Sequence, residues 1–215
     1  MTVLLRLEVL RATALTAERQ AGKEADLAVD VGPDGIPRWN GSRIRPLLSE
    51  VWDQMATHFP SLQPAASIVF PTTQQLADAA HGFRFPSRLE IPAGDRQWFE
   101  HAASRLNSAM SREVVLEYFT TVRRRTARSR ELRGAPRAHT LRAVPVLRRG
   151  LVFEGELLMP VGDADLADNI LNLLALISGC VRSLGVGRNA GSAVSLTVVK
   201  DGDPVQPRLQ DREPS

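Results

Sequence analysis

The sequence predicts a mixed α+β fold whose elements follow the order strand, helix, strands, helix, strand. Three patterns predict it. Apolar residues alternate in Val3–Leu10, recur at helical spacing in Asp163–Leu184, and alternate again in Val194–Val198. A period of two is typical of a half-buried strand, and a period near 3.6 is typical of a helix with one buried side. The 215 residues are enough for one domain with its own core.

The first half of the chain contains a second helix and a long irregular part. Residues 12–40 are expected to form a loop with a turn at Asp34-Gly35. A helix is predicted after Gly41-Ser42, with Ser42 as its cap and Pro46 in its first turn. Its apolar stripe is Leu47, Leu48, Val51 and Met55. Five prolines between residues 60 and 96 predict an irregular segment with short strands and no regular helix.

The second half supplies the remaining elements. Residues 97–124 predict two short helices that break near Ser111, and an arginine-rich loop follows. Leu141–Leu147 and Leu151–Leu158 are predicted strands, joined as a hairpin by residues 148–150. Residues 200–215 are polar and are expected to be a disordered tail, so residues 1–199 form a single domain. The order matches a ferredoxin-like (RRM-like) βαββαβ core with inserted loops.

Charge is distributed unevenly along the chain. Of 27 basic residues, only Lys23 and Lys200 are lysines. Ten arginines lie between Arg123 and Arg149 against one acid, Glu131, although the rest of the chain is acidic on balance. Guanidinium groups bind phosphate in a forked geometry, and a cluster of this density is typical of a polyanion-binding segment. A solvated loop is the alternative, but it would leave the mutual repulsion of the arginines uncompensated.

Composition excludes several classes of function. Aromatic residues make up only 5% of the chain, which disfavours RNA recognition by many stacked rings. No uninterrupted apolar run approaches the length of a membrane span. The apolar N-terminal segment carries Arg6 and Glu8, unlike the core of a signal peptide, so we expect a cytoplasmic protein. One cysteine, Cys180, allows neither an internal disulfide nor a cysteine zinc cluster.

A glycine-rich turn, residues 185–191, joins the long helix to the last strand. Glycines allow backbone amides to approach a phosphate closely, and Arg188 adds a charge. The turn lacks the Lys-Ser/Thr of a nucleotide P-loop and follows a helix instead of preceding one. The alternative is a helix C-cap followed by a tight turn.

Three stretches in order resemble the RAMP (repeat-associated mysterious protein) superfamily, the RNA-binding subunits of CRISPR effector complexes. Residues 35–48 (GIPRWNGSRIRPLL) are similar to the family's G-L-P-Y-I-P-G-S-S-L-K-G-L-L-R pattern. Parts of residues 121–157 are similar to type III members, and most of all to the short capping subunits of the type III-D branch. Residues 184–193 (LGVGRNAGSA) are similar to the family's glycine-rich loop. The resemblance extends to Val199.

The resemblance implies a subunit of a type III effector ribonucleoprotein in antiviral defence. Such a subunit binds the CRISPR guide RNA through its backbone, meets target RNA in the assembled complex, packs against other effector subunits and has no membrane partner. Arg43 and Arg45 would lie near RNA at a helix N-terminus, which also favours phosphate. The other expected RNA-binding residues are Arg123, Arg124, Arg125, Arg128, Arg130, Arg133, Arg137, His139, Arg142, Gly185, Gly187, Arg188 and Gly191.

Catalysis remains an alternative to binding alone. Backbone subunits of type III complexes use an aspartate in the loop after the first strand to cut target RNA with a metal ion, and Asp26 and Asp30 lie in the corresponding loop. Mg²⁺, which prefers oxygen ligands, is expected only if Asp26 is catalytic; otherwise no cofactor is expected. His139 is the one histidine in the basic segment that could act as a base in guide processing. A third interpretation is a scaffold subunit whose arginines bind acidic protein partners.

Overall fold

A computed structural model describes residues 2–11, 13–14, 29–71, 82–105, 111–125, 142–160, 162–183 and 193–208. These ranges contain both strands and helices, grouped in short runs along the chain. In chain order they are β1 (Val3–Val9), β2 (Thr13–Ala14), β3 (Val29–Val31), β4 (Pro37–Asn40), α1 (Ile44–Met55), α2 (Gln63–Val69), β5 (Arg88–Leu89), α3 (Ala93–Arg105), α4 (Arg112–Phe119), β6 (Thr120–Arg125), β7 (Arg142–Leu147), β8 (Val152–Glu156), α5 (Ala164–Cys180), β9 (Val194–Lys200) and β10 (Asp203–Pro204).

The central sheet has the strand order β10-β9-β1-β8, with antiparallel neighbours throughout. β8 and β9 flank β1 and run parallel to each other, and α5 connects them. On the outer edge of β8, Arg84 and Glu90 form single bridges to Leu158 and Glu154. Residues 84–90 therefore take the place of the second strand of a βαββαβ core. The predicted ferredoxin-like α+β fold is confirmed.

The core lies between this sheet and the helices. Leu5 and Leu7 of β1 are fully buried, and so are Ile170, Leu173 and Leu174 of α5. The alternation in β1 and the helical repeat in α5 therefore bury the faces that the sequence predicts. α1 and α2 both pack against α5. None of the helices in the described ranges is long and apolar enough to cross a membrane.

Two smaller sheets accompany the central one, with orders β2-β7-β6 and β3-β4-β5. The predicted hairpin through residues 148–150 is wrong. β7 pairs with β6, whereas β8 pairs with β1. Gly150 adopts a φ of +85° and its amide donates to the carbonyl of Val9 at 2.8 Å. The turn therefore passes the chain from one sheet to another instead of folding it back on itself.

The prediction that residues 60–96 contain no regular helix is wrong, because α2 lies inside this segment. Pro64 lies in the first turn of α2, where no amide hydrogen bond is lost. The helix cap before α1 also differs from the prediction. Asn40 caps the short 3-10 helix Gly41–Arg43 that leads into α1, since its side chain accepts from the amide of Ser42 at 3.0 Å. α1 itself follows Arg43, which makes no side-chain capping hydrogen bond. Ser42 instead donates its hydroxyl to Asn40 at 2.7 Å.

Other boundaries were predicted with varying success. The break near Ser111 is confirmed, because the Ser111 side chain caps α4 by accepting from the amide of Val114. α5 begins after its cap Asp163, but ends at Cys180 instead of Leu184. The tail predicted from residue 200 is wrong for its first part, since β10 pairs with β9 and the Arg208 amide donates to Asn172 at 2.6 Å.

Candidate nucleic-acid interface

The two ends of the arginine-rich segment are paired strands. The strand predicted at Leu141–Leu147 is confirmed as β7, whereas residues 120–124, predicted as the end of a helix, belong to β6. The loop predicted between the two strands lies outside the described residues. β6 and β7 pair in a continuous antiparallel register from Thr120↔Leu147 to Arg125↔Arg142. The base of this hairpin is anchored, because Phe119, Val146 and Leu147 are at most 2% exposed. β2 pairs only with residues 146 and 147, so the basic end extends past the three-stranded part of the sheet.

The hairpin places cationic residues at paired positions. Arg125 and Arg142 are direct cross-strand partners, and directly opposed residues of antiparallel strands have Cβ atoms about 4.5–5.5 Å apart. Like charges at such positions destabilise a hairpin. Because strand positions alternate between faces, positions 123, 125 and 142 fall on one face and position 124 on the other. A polyanion along this end would offset the repulsion that the sequence builds into it.

Arg148 belongs to the same basic cluster in sequence but has a structural role. Its Nε donates to the carbonyl of Thr120 at 2.7 Å and its NH2 group donates to the carbonyl of Glu117 at 3.1 Å. Its guanidinium also lies 6.0 Å from the centroid of the Tyr118 ring. Both carbonyls lie at the C-terminal end of α4, where the helix dipole favours a cation. Arg148 thus ties the end of α4 to the base of the hairpin.

The second group of expected RNA-binding residues, Arg43 and Arg45, lies at the start of α1, on a different element from the hairpin. Arg43 is exposed and Arg45 is half-buried, and the first turn of α1 contains no acidic residue. The turn before it is tightly packed: the Gly41 amide donates to Ser87 at 2.9 Å, and a Cβ at Gly41 would collide with the Pro86 carbonyl. Cations at the positive end of a helix dipole are favoured only when an anion accompanies them.

The open face of the central sheet is a poor surface for RNA. Its outward positions on β1 and β8 include Glu8, Glu154 and Glu156 and no aromatic residue. Arg6, the cation among them, is neutralised by Glu154 at 2.7 Å. The acidic side chains would repel phosphate, and no ring is available there for base stacking. This face therefore differs from that of the RNA-recognition domains that share the fold.

Other arginines are engaged in ion pairs between the small sheet and α3. Arg38 contacts Asp34 at 2.8 Å and Glu90 at 3.5 Å, and Arg96 contacts Glu90 at 2.9 Å. These groups hold the β3–β4 turn and the first turns of α3 against the 84–90 segment. They are consequently less suited to phosphate than the arginines of the hairpin.

Several predicted residues lie outside the described ranges. They are Asp26, Arg128, Arg130, Arg133, Arg137, His139, Gly185, Gly187, Arg188 and Gly191. The flanks of the glycine-rich turn are described: Ser183 bridges Ala193, and the Val194 amide donates to Arg182 at 3.2 Å. Asp30 lies in β3, where its side chain accepts from the amide of Val31 at 2.8 Å. Among the described residues, no group of three or more His, Cys, Asp or Glu could hold a metal ion.

An aromatic cluster beside the hairpin was missed by sequence reasoning. Trp98 and Phe99 of α3 meet Tyr118 and Phe119 of α4, with neighbouring centroids 4.7–5.7 Å apart. Trp98 is 56% exposed and Tyr118 is 50% exposed, whereas both phenylalanines are buried. The signal in the sequence is two adjacent aromatic pairs in a chain with only 5% aromatic residues.

Comparison with known proteins supports the fold. Neither the protein-family models nor the curated proteins contain a match to this chain. A chain of the cryo-EM structure of the type III-B Cmr-beta bound to cognate target RNA is similar, with a TM-score of 0.51, 10% identity, and coverage of 92% of this chain and 97% of that one. Oligomeric Cmr4 from Pyrococcus furiosus matches with a TM-score of 0.41 and 11% identity, covering 92% of this chain and 97% of that one. At these identities the first likeness shows the fold alone, and this chain shares the mixed antiparallel α+β architecture with that subunit.

Proposed function

We propose that this chain is an RNA-binding subunit of a type III CRISPR effector ribonucleoprotein. It holds the guide RNA by its backbone and packs against neighbouring effector subunits. The observation that carries the proposal is the basic end of the β6–β7 hairpin, where Arg125 and Arg142 are cross-strand partners on an anchored base. The likeness of fold to a chain from an RNA-bound type III-B assembly supports the same conclusion.

The proposed contact is electrostatic and independent of sequence. Strand β6 presents three consecutive arginines, and a guanidinium contributes charge and a forked pair of donors to phosphate. Most protein contacts of this kind position the backbone and do not read bases. Affinity for RNA should therefore vary little with base sequence and fall steeply with salt.

Because strand positions alternate between two faces, the arginines of β6 should differ in their effect on the salt dependence of RNA binding. Each phosphate contact to a single strand contributes about −0.7 to the slope of log affinity against log salt. If RNA lies along the face of positions 123 and 125, Arg123→Ala with Arg125→Ala should reduce the steepness by about 1.4. Arg124→Ala, on the other face, should then change it by much less. Arg149→Ala, at the turn beyond β7, is the control outside the paired strands.

Fluorescence anisotropy with a short single-stranded RNA, over a range of salt concentrations, would give these slopes. A shallow slope for the unaltered chain, alone and with its neighbouring subunits, would reject phosphate binding. The arginines would then be assigned to acidic protein partners. Equal slopes for the Arg123/Arg125 double variant and the Arg149 control would reject the hairpin as the contact surface while leaving RNA binding itself intact.

Within this class we propose a capping subunit of the type III-D kind, at the 5′ end of the guide. The support is the resemblance of residues 121–157 to these subunits. A cap enters each complex once, whereas a backbone subunit is repeated along the guide. Native mass spectrometry of the assembled complex distinguishes them: one copy supports the cap, and several copies per guide contradict it.

A further inference from the structure

Two exposed rings form a stack at the surface beside the hairpin. Trp98 and Tyr118 face each other with centroids 5.7 Å apart and an angle of 30° between their planes. The buried Phe99 contacts both edge-on, at 5.0 Å from Trp98 and 4.7 Å from Tyr118. Phe119, which is 2% exposed, supports Phe99 from the core. The outer rings are thus held in place before any ligand arrives, which lowers the entropic cost of binding.

A cavity of about 210 Å³ opens beside these rings. It is smaller than the pockets that enclose drug-sized ligands, so its size suits a single ring system. Aromatic rings and the apolar residues Ile91, Leu151 and Val152 line most of it. Asp95, an exposed carboxylate in the first turn of α3, is the one charged residue among the described residues of the lining. A carboxylate accepts hydrogen bonds from the N–H groups at the edge of a nucleobase.

The position of the ring pair connects it to the candidate interface. Tyr118 and Phe119 end α4, and β6 begins at the next residue, Thr120. Three residues of strand span about 10 Å, so the arginines begin about that far from the rings. Arg148 holds this junction together through its contacts with Thr120 and Tyr118. One single strand can therefore contact both the arginines and the rings.

We infer that the Trp98–Tyr118 pair and its cavity bind one unpaired nucleobase of the RNA strand held by the hairpin. The inference rests on the proposed function and adds a base-stacking site to it. Single-stranded nucleic-acid binders combine a basic track for the backbone with aromatic side chains on which bases stack. The local combination here is a preformed stack, an acceptor for base N–H groups and a cationic strand. An apolar side chain of a partner protein would use neither Asp95 nor the arginines.

Intrinsic fluorescence provides a direct test, because the three tryptophans differ sharply in exposure. Trp39 and Trp52 are 1% and 4% exposed, whereas Trp98 is 56% exposed. Oligoadenylate should quench the fluorescence of Trp98 and protect it from acrylamide. Inorganic polyphosphate, a polyanion without bases, should bind the arginines and leave the fluorescence unchanged. Equal effects of the two probes would overturn the inference.

Substitution of Trp98 in the full chain provides a second test, in which the affinity for RNA is measured. Trp98→Ala should weaken oligoadenylate binding roughly 10-fold or more at about 0.15 M salt, because stacking on an aromatic side chain is lost. The salt slope and the affinity for polyphosphate should stay as in the unaltered chain, since no phosphate contact is removed. Trp98→Phe should retain most of the affinity. Leu158→Ala, at a side chain 49% exposed and two residues beyond the end of β8, is the matched control.

The outcomes separate this inference from the proposed function. If the unaltered chain binds RNA with a steep salt slope but Trp98→Ala binds equally well, the nucleobase site is rejected and RNA binding stands. If Trp98→Ala instead reduces recovery of a neighbouring subunit at unchanged RNA affinity, the rings form a protein contact, which also rejects the site. If the unaltered chain and its complex bind no RNA, both proposals fall.

Discussion

Replacement of Arg148 by alanine should destabilise the fold without altering RNA binding. The variant loses two charged hydrogen bonds, to the carbonyls of Thr120 and Glu117, and the contact with the Tyr118 ring. A hydrogen bond to a charged group contributes about 1.5–3 kcal/mol, but Arg148 is exposed and water replaces part of that loss. We therefore expect the loss of these two hydrogen bonds to lower the free energy of unfolding by about 2 kcal/mol. For a chain of this length that corresponds to a fall in Tm of roughly 4–8 °C.

Arg149→Ala is the matched control, because it removes the same charge from the neighbouring exposed position. An exposed residue of this kind should change stability by no more than about 0.5 kcal/mol. Thermal melting followed by circular dichroism measures both variants, and the salt slope of RNA binding is recorded alongside. Equal melting temperatures for the two variants would refute the structural role of Arg148. A shallower salt slope for Arg148→Ala would show that its guanidinium contacts phosphate after all.

Further predictions concern backbone conformation and helix capping. Gly35→Ala should cost about 1–3 kcal/mol in chemical denaturation, since Gly35 has a φ of +80° and an added Cβ would collide with the Arg112 carbonyl; Gly94→Ala, which has no heavy atom within 4 Å of an added Cβ, should not destabilise. Ser111→Ala should cost about 1 kcal/mol through loss of the α4 cap, and an unchanged unfolding midpoint would contradict that cap. A hydrogen bond from its own backbone amide, and then one from the Ser111 side chain, lower the pKa of Glu113 below its ordinary value of 4.5. The ionised Glu113 carboxylate therefore stabilises the fold at pH values above 4.5, and this stabilisation is lost as the pH falls through the lowered pKa. Glu113→Gln should thus flatten the acid side of the plot of stability against pH. An identical plot for the variant would contradict the assignment.

The elements that could be predicted are those whose signal is local. β1, β9 and α5 each repeat apolar residues at the period of their own geometry, and each buries the expected side. Ser111 was located correctly as a helix break because it is a strong N-cap residue at the start of an apolar repeat. The outline of the ferredoxin-like fold followed from the order of these segments.

The missed features depend on contacts between distant parts of the chain. α2 was excluded because prolines are usually helix breakers, yet Pro64 occupies the one turn that tolerates it. Proximity in sequence predicted that β7 and β8 would pair, but β8 has its partner in β1, far away along the chain. Strand pairing of this kind is decided by burial in the whole domain and is not encoded in a short window.

In the candidate site, too, local features were predicted and long-range contacts were missed. Composition identified the basic segment, but not that Arg125 and Arg142 are cross-strand partners or that Arg148 binds the end of α4. The ring pair of Trp98 and Tyr118 was missed, since the low aromatic content concealed how the few rings are grouped. The net charge of a segment can be counted from the sequence, whereas the group that each charge contacts depends on tertiary structure.

Co-purification of nucleic acid with the assembled complex tests whether this chain holds a CRISPR guide RNA. The tagged chain is expressed with its genomic neighbours, and the bound nucleic acid is extracted and sequenced. We expect short RNAs of uniform length that share a repeat-derived 5′ end. These RNAs should be lost when Arg123, Arg124 and Arg125 are replaced together in a chain that still melts normally. A complex without RNA, or with RNA of random sequence, would contradict this expectation.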